Sequence, residues 1–208
     1  HWMVVGNLAA LRHDYVRGLT VPAALTVPSS VALIVFAVPI MGLLFSSKNP
    51  AEIPAAAAAL ACMAPALLPF GIDGLNQRVF YAFERGRTAF TEQAILSVTA
   101  ILVSLAAVLL PPEWTVPVIS LGMILSNSVA TAYGMRVLRR QLGDFGARDV
   151  VRTWVRMALA SIGAGYLAWG LVVVLTRALA GWGRIGYAVT LLLGGLLFGV
   201  TYLLVARL

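Results

Sequence analysis

Arg78-Val79-Phe80-Tyr81-Ala82-Phe83-Glu84-Arg85-Gly86-Arg87-Thr88 is a charged, aromatic stretch set between two long apolar runs. An arginine at the centre of a bilayer costs roughly 2.5–3.5 kcal/mol even on the mildest scale, so these charges are excluded from hydrocarbon. The stretch is predicted to be a tight turn at a membrane surface, with Gly86 at the bend. Phe80, Tyr81 and Phe83 suit the interface, where a ring has one dry side and one wet side. Arg78, Arg85 and Arg87 place the turn on the cytoplasmic side, because cytoplasmic loops carry the excess of positive charge. The orientation of every other span follows from this one.

Composition points the same way. The 208 residues are 61% hydrophobic and 11% charged, with a mean hydropathy of +0.92. A soluble domain is nearer 45–50% apolar and about 25% charged. Lipid is therefore the expected solvent for most of the chain. The net charge of +7 does not indicate nucleic acid, because the arginines gather at the ends of apolar runs and not along one polar face. The single cysteine, Cys62, excludes an intrachain disulfide and is expected to be a small buried hydrophobe. His1 and His13 stand apart from any cluster of metal-ligand spacing, so neither a metal nor a cofactor is indicated. There is no Ser/His/Asp set, no phosphate-cradling glycine loop and no facing pair of membrane carboxylates, which argues against an enzyme. The opening His1-Trp2-Met3 is not the start of a cleavable leader.

Six apolar runs are long enough to cross a hydrocarbon core, which takes about 20 helical residues. They cover 20–45, 54–77, 90–110, 116–135, 157–175 and 185–205. The predicted fold is all-α and polytopic, with six transmembrane helices. Residues 4–17 form an amphipathic turn or two against the membrane, or a solvated linker. Pro22, Pro28 and Pro39 should kink the first span, with Thr26, Ser29 and Ser30 on hand for the freed carbonyls. Alanines 55–59 permit close helix contact in the second span, which Pro65 and Pro69 should bend. Glu92 and Gln93 fall in the first turn of the third span, where favourable interaction with the helix dipole accounts for Glu92. Ser120, Ser126, Asn127, Ser128 and Thr131 make the fourth span the most polar. Such groups typically bond across helices, at about 0.6 kcal/mol each. Gly195 and Gly199 form a G-x-x-x-G pair that invites a neighbouring helix.

Residues 1–19 are read as a cytoplasmic or interfacial segment and 20–140 as four helices of one lobe. A basic cytoplasmic loop covers 141–156, and two last helices occupy 157–208. Glycines 143 and 146 break the helix in the loop. The arginines from Arg136 to Arg156 serve as a topology signal or hold anionic lipid head groups, at about 1 kcal/mol each. With both ends inside, Arg12, Arg17, Arg78, Arg85, Arg87, Arg136, Arg139, Arg140, Arg148, Arg152, Arg156 and Arg207 are cytoplasmic. Only Lys48, Arg177 and Arg184 fall outside, which is the bias the rule requires.

Four residues are candidate substrate contacts: Asp73, Arg78, Asn127 and Arg156. An acid within a span is a functional candidate by default, and Gln77 or Arg78 is the nearest partner for Asp73. Asp73 and Arg78 either line a watery cavity that handles an anionic head group or reach out to the inner interface. Asn127 either binds helices together or faces substrate. Arg156 lies deepest of the loop arginines and is the one expected to face a cavity.

Arg78, Phe80, Tyr81, Ala82, Arg87 and Thr88 resemble the R-x-F-Y-A … K/R-T-P turn of the MurJ/MviN lipid II flippases, within the multidrug/oligosaccharidyl-lipid/polysaccharide exporter superfamily. Ala89 stands where that family usually has proline. Val27-Pro28-Ser29-Ser30-Val31-Ala32-Leu33, Val38-Pro39-Ile40 and Leu43-Leu44-Phe45 are similar to its L-P-x-A-x-x-L … x-P-I … L-L-F span. The resemblance implies part of the C-lobe plus the last two of fourteen helices, which in the family form a groove for the lipid tail. It implies transport of an undecaprenyl-pyrophosphate-linked peptidoglycan precursor by alternating access in the bacterial plasma membrane, together with the remaining helices of the full-length flippase. Membrane lipids and cytoplasmic regulators are the other implied partners. The family's sodium-holding Asn and Asp correspond to Ala100 and Ser104, so a sodium site of that type is not expected. The alternatives are a non-transporting scaffold recruiting cell-wall partners, and a related polysaccharide or drug exporter.

Overall fold

In the computed structural model, residues 8–45, 52–143 and 146–206 are described. The 46–51 connection with Lys48, Asp144 and Arg207 lie outside them. The described residues form helices α1 (Leu8–Val35), α2 (Ala37–Phe45), α3 (Ile53–Met63), α4 (Leu67–Ala82), α5 (Gly86–Val108), α6 (Pro112–Leu142), α7 (Ala147–Ala178) and α8 (Gly183–Ala206). Short 3-10 turns occupy Ala64–Ala66 and Ala180–Trp182. Six stretches of 23 to 32 residues are long and apolar enough to cross a membrane. Large side chains such as Phe90, Leu102, Leu105, Leu192, Leu196 and Leu203 are exposed along them. Apolar exposure on that scale is incompatible with water and suits acyl chains. The chain is an all-α, multi-pass membrane protein.

Prolines shape the helices, though not each where expected. α1 runs unbroken through Pro22 and Pro28, and the interruption falls at Phe36, ahead of Pro39. The ladder is kept on either side, with Phe36 N donating to Ala32 O at 2.8 Å and Ile40 N to Phe36 O at 2.9 Å. Pro65 is the middle residue of the 3-10 turn between α3 and α4, and Pro69 falls in the first turn of α4, where a missing N–H is tolerated.

The Arg78–Thr88 stretch is a turn, but its bend is at Glu84 and not at Gly86, which is the first residue of α5. Glu84 takes the left-handed conformation at φ 57°. Arg85 N donates to Phe80 O at 2.9 Å and Glu84 N to Tyr81 O at 3.0 Å, the paired closure that ends a helix through one left-handed residue. Phe80 is also placed differently from the expectation. It is 0% exposed and packs in a core, whereas Tyr81 is exposed. Position 80 shares a helix face with Ile72 and Asn76, so it turns inward.

The chain divides into two compact units. The first takes residues up to Thr26 with Ala66–Val155. Its core is Tyr15, Leu19, Ile72, Phe80, Ala89, Leu138, Leu142 and Val150. Gly122 lets α6 press against Val103 of α5, where an added Cβ would sit 2.5 Å from the valine side chain. The Trp154 indole donates to Leu19 O at 3.2 Å, and the Arg12 guanidinium to Leu142 O at the end of α6. Gly143 and Gly146, both at positive φ, break the chain between α6 and α7. α7 begins at Ala147, so 147–156 is helical and the linker is shorter than the composition suggests.

The second unit takes Val27–Pro65 and Arg156–Leu208. Its core is Phe36, Ala164, Ala168, Val172 and Phe198, with Phe36 and Phe198 edge-to-face at 6.2 Å. The glycine that admits a neighbour here is Gly194. An added Cβ would lie 2.7 Å from Phe36 and 3.3 Å from Val172, while Gly195 and Gly199 have nothing within 4 Å among the described residues. Of alanines 55–59 only Ala57 is buried. Cys62 is exposed, contrary to expectation.

Candidate functional site

Within the first unit, four helices place polar side chains against one another. α1 contributes Tyr15, whose hydroxyl donates to Asn76 Oδ1 of α4 at 2.8 Å. Asn76 Nδ2 donates to Glu92 Oε1 of α5 at 3.0 Å and approaches Thr131 O of α6 at 3.5 Å. Thr131 Oγ1 donates to Pro69 O at 2.8 Å, closing the ring of contacts between α6 and α4. Asn76 and Glu92 are 0% exposed. Gly134 of α6 leaves the room they fill, because any Cβ there would overlap the Glu92 carboxylate and the Asn76 amide.

Glu92 therefore sits in the second turn of α5 and inside the bundle. α5 starts at Gly86, earlier than the apolar run suggests, and this moves Glu92 from the helix end into the core. Its burial comes from Asn76 and Gly134, and the helix-dipole account fails. Glu92 Oε2 has no hydrogen-bond partner among the described residues.

One turn before Asn76, Asp73 is 6% exposed. Its Oδ2 accepts from Gln93 Nε2 at 3.0 Å and from Gln77 Nε2 at 3.4 Å. Gln77 is the partner expected from spacing, and Gln93 comes from the neighbouring helix. Asp73 Oδ1 has no partner among the described residues. Asp73, Gln77, Arg78 and Gln93 line an open cleft of about 710 Å³ together with Phe70, Gly71, Gly74 and Leu75 of α4 and Gly18 and Pro22 of α1. Phe70 and Arg78 are exposed. A carboxylate, two amides and a guanidinium around one opening would be costly against acyl chains, so the opening suits water or a polar ligand.

The other two candidates lie apart from this group. Asn127 is buried, but its Nδ2 donates to Met123 O of its own helix at 2.8 Å and its Oδ1 has no partner among the described residues. Ser120, Ser126 and Ser128 likewise bond to their own helix, and only Thr131 crosses to another. Arg156 is exposed and belongs to the second unit. The described residues hold no group of three or more His, Cys, Asp or Glu able to bind a metal.

Helices with lipid-compatible surfaces, enclosing a hydrogen-bonded polar cluster beside a charged cleft, define a polytopic membrane protein. The family model described as MurJ, the lipid II flippase, matches residues 3–191, and the chain belongs to that family. A solved structure of lipid II flippase MurJ, in an inward closed conformation, is similar in fold with a TM-score of 0.72 at 16% identity. The match covers 97% of this chain and 40% of that one, so the chain spans less than half the length of the solved relative. No curated protein matches the chain.

Proposed function

We propose that the chain is part of a lipid II flippase, a transporter and not an enzyme, that carries the undecaprenyl-pyrophosphate-linked peptidoglycan precursor across the bacterial plasma membrane by alternating access. Membership of the family over residues 3–191 carries this reading. The helices that the solved relative has beyond the match would supply the opposing wall of the transport path. Residues 20–140 would act as a lobe, 141–156 as its basic connection and 157–208 as the lipid-tail groove, with both ends of the chain cytoplasmic. Asp73 and Arg78, which share the cleft, would meet the polar head group, with Arg78 offering charge to its anionic part. Asn127, buried in α6, and Arg156, exposed on α7, would be the two further contacts.

Complementation tests the reading. The full-length gene is expressed in cells depleted of their own flippase, and arrival of lipid II at the outer leaflet is measured. Rescue is expected, and Arg78→Ala should reduce flipping several-fold. Stable expression without rescue would favour a non-transporting scaffold.

A further inference from the structure

Phe70, Asp73, Gly74 and Gln77 stand at i, i+3, i+4 and i+7 on one face of α4, and all four line the cleft. We propose that this face, with Gln93 of α5, is a subsite for a sugar ring of the head group. The proposal rests on the flippase reading and names which part of the cargo this cleft takes.

The chemistry is that of saccharide recognition. A sugar ring has an apolar face of C–H groups and a rim of hydroxyls that both donate and accept. Phe70, 66% exposed, offers an uncovered ring for the first. Asp73, Gln77 and Gln93 offer the second. Asp73 Oδ2 holds one Nε2 of each glutamine, at 3.4 and 3.0 Å, and so fixes both amide planes. Each amide keeps its other N–H and its carbonyl oxygen for a ligand. Asp73 Oδ1 is buried away from the cleft, so Asp73 acts through Oδ2 and the two amides it holds. An anion would be repelled by this carboxylate, which leaves Arg78 at the edge of the cleft to meet phosphate and the Asp73 end to meet neutral hydroxyls.

Space agrees with the assignment. A Cβ added at Gly74 meets nothing within 4 Å, and one at Gly71 meets only Thr26 Cγ2 at 3.8 Å. The absent side chains widen the opening, and no helix packing among the described residues demands them. A volume of about 710 Å³ is that of a small-molecule site and exceeds what a hexose ring needs.

The test compares two lipids on the purified full-length protein in nanodiscs: undecaprenyl pyrophosphate, and the same lipid carrying its disaccharide without peptide. The wild type is expected to bind the disaccharide lipid about tenfold more tightly. Gly74→Phe fills the cleft and Phe70→Ala removes the ring; a Cβ at Gly74 meets nothing within 4 Å among the described residues and Phe70 is largely exposed, so thermal unfolding should report an intact fold. Each variant should abolish the preference. Equal affinity of the wild type for the two lipids, or a preference that survives Gly74→Phe, overturns the subsite while leaving the flippase reading in place. Failure to bind either lipid removes the flippase reading and the subsite with it. Gly74→Cys supplies the remaining check: no reaction with a water-soluble maleimide in the full-length protein would mean that its own helices fill the cleft, which also overturns the proposal.

Discussion

Gly134 of α6 and Glu92 of α5 occupy complementary space: the glycine has no side chain where the carboxylate lies, and a Cβ would overlap Oε1. The close approach of two membrane helices and the burial of an acid are one structural fact at this point.

Gly134→Ala should consequently destabilise the protein by about 1–3 kcal/mol, the usual cost of overpacking a filled core. The midpoint of thermal unfolding in detergent measures it. Glu92→Ala removes the nearer of the two obstructing groups and leaves the Asn76 amide, so Gly134→Ala should cost less, though not nothing, in that background. Additive effects in the double-mutant cycle would deny the contact.

Asn76 is the hinge of the polar cluster, accepting from Tyr15 at 2.8 Å and donating to Glu92 at 3.0 Å. Asn76→Leu keeps the volume and takes an acceptor from the Tyr15 hydroxyl and a donor from Glu92, at about 1–3 kcal/mol each. Tyr15→Phe takes away a single donor and should cost about 1 kcal/mol. Glu92→Gln retains an oxygen for the Asn76 amide and should be the mildest of the three. Urea unfolding of the three variants gives the order, and a Glu92→Gln protein weaker than Asn76→Leu would contradict it.

Glu84 pays a conformational penalty for its left-handed φ of 57°. Such a conformation costs an ordinary L-residue roughly 1–2 kcal/mol, and glycine adopts it freely. Glu84→Gly should therefore raise stability by up to about 1 kcal/mol after the added freedom of the unfolded glycine is counted. A lower unfolding midpoint would show that the Glu84 side chain contributes more than its backbone loses.

In the second unit the adjacent glycines 194 and 195 should respond in opposite directions. Gly194→Ala drives a methyl group into Phe36 and should lose about 1–3 kcal/mol. Gly195→Ala and Gly199→Ala meet open space and should be neutral or gain up to about 1 kcal/mol of helix propensity. If Gly195→Ala or Gly199→Ala instead weakens the full-length protein, that face packs against helices beyond this chain.

The legible parts of the fold were those governed by one-dimensional rules. Six apolar runs, the charged turn at 78–88 and the breaks at Gly143 and Gly146 all appear in the structure. Helix ends were less accurate, because apolarity marks the part of a helix in lipid, while α5 and α7 begin in the polar residues before it. Asp73 was found because a carboxylate in an apolar run stands out, and Gln77 follows from a spacing of four. Gln93, Tyr15 and Gly134 had no such mark. Each is ordinary in its own helix and gains its role from a residue 20, 61 or 42 positions away.

Lipid as the solvent, and helices as the means of crossing it, follow from residue order alone, because a bilayer tolerates neither arginine nor an unpaired backbone. Residue order also carries the motifs that mark the family. Which polar groups face one another is a matter of three-dimensional packing, which turns Glu92 from a helix-end charge into a core residue and makes Gly194, and not Gly195, the packed glycine. Hydropathy is felt residue by residue, whereas a hydrogen bond or an overlap between helices depends on rotations and offsets that side-chain packing alone fixes.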